Sequence, residues 1–401
     1  MARITLDEAI ERTLRAAPRL GVERCALPDL PGRVLAEDLT FPGDLPPFDY
    51  AAMDGYAIAA AAVAGARFVV RGESRAGMPT ASVEPDTALT ISTGAAIPSA
   101  LDTVIPWEDV VREGDTITIQ RDARRGQHVR LRGEDARNGA LAIPLGTRLS
   151  ARHLALIATI ERASASVHRR PRVAVLCTGD ELRDPGAPSR PGAIVDSNGP
   201  MLAALIAQAG GTSSLARVPD TIEALREAIE RALDHDVIVT VGGAAEGKHD
   251  HVMPVLESLG AETIFRGVAI KPGKPVALAQ ISRGDRVVPV LALPGNPGSA
   301  FVTFTLLGMS LLRAMQADAR PVASRLRMPT ARAIKSATDR DVLAYGTLDR
   351  DDRGVQVFSP SPPSTSGSVP GLASASAIAI VPTGATLGAG DHVDVIEVER
   401  A

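Results

Sequence analysis

Three acidic and two basic side chains fall at the ends of predicted strands between residues 172 and 300, and together they describe a seat for an anion. Glu181 closes the run RVAVLCTGDEL (172–182), just after Thr178 and Gly179, and Asp220 ends VPD. Asp250 follows the glycines of HDVIVTVGGAAEGKHDH (235–251), at the expected start of a helix, and Lys271 and Lys274 flank Pro272-Gly273. A strand, a glycine turn and a helix N-terminus leave backbone N–H groups unpaired where an anion can sit. Gly242-Gly243 and the turn Pro294-Gly295-Asn296-Pro297 are junctions of that kind. Carboxylates repel a phosphate unless a divalent cation lies between them, and Mg²⁺ with phosphate oxygens is the usual solution. The residues therefore read as a Mg²⁺-dependent site for a phosphorylated small molecule. Each has a plainer reading when taken alone. The paired glycines make a tight turn, Glu181 and Asp250 make helix caps, and the lysines decorate a surface. Their convergence on the strand ends of one α/β region favours the site.

A second set lies in the N-terminal half. Asp54 precedes Gly55 in FPGDLPPFDYAAMDGYAI (41–58), and Thr93-Gly94 with Pro98 form a polar turn in TALTISTGAAIPSALDTVIPWED (87–109). In HVRLRGEDARNG (128–139), Arg130, Arg132, Glu134 and Asp135 crowd six positions. Spacing alone leaves tight β turns and a surface ion-pair cluster as equal alternatives to anion binding.

The elements that must position these residues follow from periodicity. Thr5 and Glu8 make a capping box ahead of a helix with apolar residues at 6, 9, 10, 14 and 17. Prolines at 28, 31, 42, 46 and 47 then demand turns, and short β-branched runs fill 46–140. A helix is expected over 150–162. From 171, strands alternate with helices at 198–209, opening at Ser197/Asn198, and at 221–233, opening at Asp220 with Glu223 completing its box. That alternation implies parallel pairing with right-handed crossovers, and ligands bind beyond the carboxyl ends of such strands. A long helix over 298–316 precedes a run of short strands to the C-terminus, interrupted by the flexible stretch SPSPPSTSGSVPG (359–371). The expected division is a helical, elongated domain (1–45 and 141–168), an inserted β domain (46–140), a three-layer α/β domain (169–318) and a small C-terminal β-barrel (319–401).

Composition bounds the functions open to this chain. Its 401 residues exceed one ordinary core. A net charge of −4 argues against general binding to nucleic acid or anionic membranes. Cys25 and Cys177 show no metal spacing, and Cys177, ending a core strand, reads as a buried thiol. MARITLDEAI is acidic and helical with no signal-like apolar core, and the stretch Ser299 to Leu312 is too short to span a bilayer. A cytoplasmic location is the expectation.

The runs PPFDYAAMDGYA, STGAAIPSALDTVIPWED, VRLRGEDARNGALAIPLGTRLS, TGDEL, GGAAEGKHD, IKPGKPVALA and LPGNPGSAFVTF, in this order, resemble the molybdopterin molybdenumtransferases, the MoeA and gephyrin E-domain family. The resemblance covers most of residues 5–310. It implies insertion of molybdate into adenylylated molybdopterin with release of AMP, Mg²⁺ as cofactor, and an α/β domain like that of molybdopterin adenylyltransferases. It implies a homodimer whose sites are shared between subunits, and transient contact with a molybdopterin adenylyltransferase and with apo-molybdoenzymes. Carried over residue by residue, Asp54, Thr93, Glu181 and Asp250 take catalytic positions. Arg130, Asp135, Thr178, Gly179, Asp220, Gly242, Gly243, Lys271, Lys274, Pro294 and Pro297 take substrate-binding ones, and Glu181, Asp220 and Asp250 serve Mg²⁺. The family often has serine where Ala51 stands and Ser-Val at Ala245-Glu246, and an acid is common at Lys248. Those departures keep a second reading open, a non-catalytic paralogue that carries the pterin or acts as regulator or scaffold.

Overall fold

The structure is a computed structural model that describes residues 3–59, 61–79, 82–243, 251–362 and 367–398. The chain divides into two compact units. One holds Met1–Glu37, Leu145–Ala151 and Ser164–Ala401, the other Asp38–Pro144 and Arg152–Ala163.

The smaller unit is β-rich, and strict alternation of its side chains explains its two apolar faces. Its six-stranded sheet runs in the order Thr103–Pro106, Gly55–Ile58, Thr87–Ile91, Arg67–Ser74, Thr116–Ile119, Val110–Glu113. Ala57, Leu89, Ile91 and Val104 gather on one face, while Tyr56, Ile58, Ile105, Ile117 and Ile119 gather on the other. Gly55 is obligatory, because a Cβ there would lie 1.9 Å from the carbonyl oxygen of Ile105. A separate short ladder pairs Tyr50–Ala51 with Val129–Arg130.

The larger unit is built on a second six-stranded sheet, in the order Thr212–Val218, Arg172–Thr178, Val237–Val241, Arg286–Leu293, Ala277–Arg283, Glu262–Arg266. The first four strands are parallel, as the alternation of elements predicts, and the last two turn antiparallel. Alternation again sorts the core into layers. Val173, Val175 and Cys177 meet Leu202, Leu205 and Ile206 of the helix Asn198–Gln208 on one face. Ala174, Leu176 and Ile238 meet Leu225, Ala228 and Ile229 of the helix Ile222–Ala232 on the other. The N-terminal helix Leu6–Arg15 adds Leu6, Ala9 and Ile10 to the first of these cores.

Four local expectations are corrected. The helix Ile222–Ala232 is capped by Thr221, whose hydroxyl accepts from the Ala224 N–H, so Asp220 lies outside the helix. At Asn198–Gln208 the Ser197 side chain makes no cap, and Asp196 instead accepts the Gly199 N–H at 2.9 Å. Glu181 caps no helix either, because Leu182–Arg183 follows as a short strand beside Ile194–Val195. The helix over 297–315 is not a uniform α-helix. A π turn at Phe304–Gly308 divides Pro297–Thr303 from Met309–Met315, and Gly308 fits beneath the Phe304 ring, where a Cβ would come within 2.4 Å of it. The whole helix, Pro297–Met315, is long and apolar enough to cross a membrane by length and composition alone, but 89% of its apolar window is buried inside the protein, as in a core helix.

The C-terminal strands form a barrel. Asp341–Arg350, Ala377–Val381, His392–Glu397 and Leu326–Pro329 pair in turn, and Gln356–Pro360 pairs with Asp341–Arg350. The Thr330–Phe358 bridge brings the two edges together over the fully buried Phe358. The strand Ile270–Lys271 also joins this sheet, pairing parallel with Asp341 and Val342.

Candidate active site

The carboxyl ends of the parallel strands are in mutual contact, and glycine makes this possible. The Thr178 hydroxyl donates to the Val241 carbonyl at 3.2 Å. Gly242 has φ +95°, and a Cβ on it would fall 2.6 Å from Thr178 Oγ1 and 2.8 Å from the Thr178 carbonyl oxygen. A Cβ on Gly295 would meet the Gly242 Cα at 3.4 Å. Thr178, Gly242 and the turn after Leu293 therefore pack together at the carboxyl end of the sheet, where the crevice of such a fold opens. The expected residues Gly179, Gly243, Pro294 and Pro297 stand on the same strand-end turns, with Pro297 in the first turn of the helix that follows.

The acids stand on these ends as well. Glu181 is exposed and folds back, its carboxylate lying where a Cβ on Gly179 would have to sit. The backbone N–H of Asp220 donates to Asp180 Oδ1 at 3.2 Å, which ties the end of Thr212–Val218 to the end of Arg172–Thr178. The carboxylates of Glu181 and Asp220 take no hydrogen bond from any described residue. Asp250 lies outside the described residues, as do Ala245, Glu246 and Lys248. Among the described residues no group of three or more His, Cys, Asp or Glu is gathered as a metal cage. Mg²⁺ takes one or two carboxylates and completes its shell with water and substrate phosphates. Glu181 and Asp220 supply the hard oxygen donors such an ion needs.

Lys271 and Lys274 reach this region through packing. Their turn has Gly273 at φ +107°, and a Cβ there would lie 2.5 Å from Thr303 Cγ2, on the helix that begins at Pro297. The lysine turn and the proline turn are thus held by one helix. A compositional signal points to these lysines. The chain has only four lysines among its 43 basic residues, and three of them are Lys248, Lys271 and Lys274.

In the smaller unit the expected residues also come together. Asp54 Oδ1 accepts the Thr93 N–H at 2.6 Å. The adjoining turn is anchored on Ala51, with Gly94 N–H donating to its carbonyl at 2.8 Å and Ala51 N–H donating to Ala95 at 3.0 Å. On the other side, Arg130 pairs with Tyr50 in the ladder and its guanidinium meets Asp135 at 2.6 Å and Glu134 at 3.3 Å. Arg132 bonds Asp44 at 2.9 Å, and the Asn138 N–H together with Arg132 holds the Asp44 carboxyl below its usual range. Asp54, Thr93, Arg130 and Asp135 therefore flank one two-residue strand.

Cys177 takes no part in this chemistry. It is 2% exposed, and burial, with Asp196 beside it, pushes its thiol up to about 12. Sequence reasoning missed Tyr345 and Asn198. The Tyr345 hydroxyl donates to the Gly298 carbonyl, and the Asn198 amide donates to the Gly295 carbonyl at 2.8 Å. No local motif marks either residue.

Comparison with known proteins agrees with this architecture. Residues 4–160 match the MoeA N-terminal region (domain I and II), 174–314 a probable molybdopterin binding domain, and 327–398 the MoeA C-terminal region (domain IV). The chain is 34% identical to the molybdopterin molybdenumtransferase of a Nostoc species over 379 residues, covering 91% of this chain and 86% of the relative. It is 31% identical to that of Staphylococcus epidermidis over 410 residues, covering 99% and 96%. A structure of the molybdopterin biosynthesis MoeA protein from Pyrococcus horikoshii superposes with a TM-score of 0.79 at 32% identity over 99% of both chains. Another structure, of the molybdopterin biosynthesis MoeA protein from Pyrococcus horikoshii OT3, gives 0.84 at 26% identity, over 99% of this chain and 100% of the other.

Proposed function

This chain belongs to the molybdopterin molybdenumtransferase family and is a transferase of molybdenum cofactor biosynthesis, and from that premise we propose that it inserts molybdate into adenylylated molybdopterin with release of AMP. The observation that carries this reading is the strand-end crevice, where the Glu181 and Asp220 carboxylates take no hydrogen bond from any described residue, beside a floor that admits no side chain at Gly242. Glu181 and Asp220, with Asp250 by resemblance, would hold Mg²⁺, which when bound offsets charge on the phosphate oxygens. Thr178, Gly179 and Gly243 offer polar and backbone groups to the phosphates, and Lys271 and Lys274 neutralise them. Pro294 and Pro297 set the rim. Arg130, held in place by Asp135, offers a guanidinium for molybdate, and Asp54 fixes the Thr93 turn.

The reading extends to a homodimer in the cytoplasm, with the four-part domain division given above. Sedimentation of the purified chain and cell fractionation test the first two points. Reconstitution tests the activity, with protein, adenylylated molybdopterin, molybdate and Mg²⁺ assayed for AMP release and for activation of an apo-molybdoenzyme. Tight retention of the adenylylated pterin without AMP release would instead identify a carrier.

A further inference from the structure

We infer that the C-terminal barrel is a working wall of the crevice, and that Tyr345 is the positioning residue through which it sets the proline turn and the lysine pair. The inference rests on the crevice being the site of molybdenum insertion.

Four observations carry it, all within the larger unit. First, the barrel strand Asp341–Arg350 serves two cores by alternation. Val342, Ala344 and Leu348 face the barrel interior, while Leu343 and Tyr345 turn to the core beneath the α/β sheet, joined there by Ile378, Ile380 and Ile396. The barrel and the α/β layers therefore share one apolar body. Second, the strand Ile270–Lys271 is a member of the barrel sheet, and the Asp341 N–H donates to the Ala269 carbonyl at 2.9 Å. The backbone of Lys271 pairs with the barrel strand and not with the α/β sheet. Third, the Tyr345 hydroxyl donates to the carbonyl of Gly298, in the first turn after Pro297, and its ring stands 6.5 Å from that of Phe301 on the same helix. Burial pushes the hydroxyl's pKa upward, so it remains a donor across the working range of the protein. Fourth, a Cβ on Gly273, between the two lysines, would overlap Thr303 at 2.5 Å, so the lysine turn rests directly on the helix that Tyr345 grips. From Tyr345 the line of contact runs to Gly298, along one turn of helix to Thr303, and on to Lys271 and Lys274.

A tyrosine that merely filled the domain boundary would need only its ring. Its hydroxyl instead selects a carbonyl beside the proline turn, and that choice separates positioning from packing. The test compares Tyr345→Phe, which keeps the ring and removes the donor, with Phe358→Leu, which loosens the barrel interior on the face of the strand opposite Tyr345. With only four lysines in the chain, the rates at which an amine reagent modifies Lys271 and Lys274 can be followed one by one by mass spectrometry. In Tyr345→Phe, amide exchange over 297–303 should quicken about 2- to 12-fold, the equivalent of one hydrogen bond. The reactivity of Lys271 and Lys274 should shift, and KM for adenylylated molybdopterin should rise by a similar factor with kcat nearly constant. Phe358→Leu should lower Tm and leave all three readouts in place. Unchanged exchange and lysine reactivity in Tyr345→Phe overturn the inference, as do equal changes in both variants, which would reduce the effect to general barrel stability. Should Tyr345→Phe itself unfold, Phe301→Leu relaxes the same contact from the helix side and is read against the same criteria. If the structural readouts shift as expected while the wild type releases no AMP, the proposed reaction fails and the positioning stands.

Discussion

At the amino ends of the parallel strands, Asp236 is 5% exposed and takes two guanidinium bonds from Arg169 at 2.7 and 2.8 Å and the Arg172 N–H at 2.8 Å, with Arg286 at 3.8 Å. At the carboxyl ends of the same strands, Glu181 and Asp220 take no hydrogen bond from any described residue. The residue types are the same and the environments opposite. Burial alone would raise the Asp236 carboxyl; Arg169 and the Arg172 N–H outweigh it, so the net shift is downward. One end of the sheet is closed by an ion network that stabilises the fold, and the other is left open for charges that arrive with a ligand.

The sharpest way to break this comparison is to remove one charge from each end. Asp236→Asn leaves the guanidiniums of Arg169, Arg172 and Arg286 facing a neutral group, and stability should fall by about 1.5–3 kcal/mol at neutral pH. Because the folded carboxyl is depressed, its contribution is present above the unfolded value and is lost as pH drops through the folded one. Urea titrations of wild type and variant should therefore converge as the pH falls below the ordinary value of 3.8. A difference that stays constant well below that pH would show that the network contributes through packing alone. At the open end, the double change Glu181→Gln with Asp220→Asn should slow AMP release by about 100-fold or more while Tm moves little. A large loss of Tm with normal turnover per folded molecule would reverse the assignment of the two ends.

Two smaller effects sharpen the boundary. Replacing Lys271 or Lys274 with alanine should weaken binding of the adenylylated pterin by about 1.5–3 kcal/mol, the range for a charge-assisted hydrogen bond. Calorimetry with unchanged affinity would return the lysines to the surface. Thr221→Ala, one residue beyond Asp220, removes the helix cap and should cost about 1 kcal/mol of stability with AMP release unaffected. Altered turnover in that variant would mean that the cap and the site cannot be separated.

Much of this was legible because local chemistry repeats. The run Val237 to Val241 is buried throughout, as five apolar or β-branched residues before two glycines require. Thr5 caps its helix through the Glu8 N–H, and Asp54 accepts the Thr93 N–H, so two residues that the resemblance singles out lie side by side. Other features have no local signature. Asp220 and Thr221 are both good cap residues, and only the three-dimensional path of the chain gives the cap to Thr221. The antiparallel edge arises because Ala277–Arg283 and Arg286–Leu293 are joined by a tight turn, with no crossover helix between them. The π turn in the buried helix follows from how Gly308 meets Phe304. The pairing of Ile270–Lys271 with Asp341–Val342 was the least legible, since two residues show no periodicity and their partner lies some seventy positions later.

That last pairing bears on the order in which the protein acquires its parts during synthesis. The strands Arg172–Thr178, Val237–Val241 and Arg286–Leu293 are translated well before Asp341, so the parallel sheet can assemble while the barrel has not yet been made. Until the ribosome has passed Asp341, the segment carrying Lys271 has nothing to pair with, and Gly298 has no tyrosine to grip it. A nascent chain thus holds the floor of its crevice early and receives the far wall only after Asp341 and Tyr345 have been made.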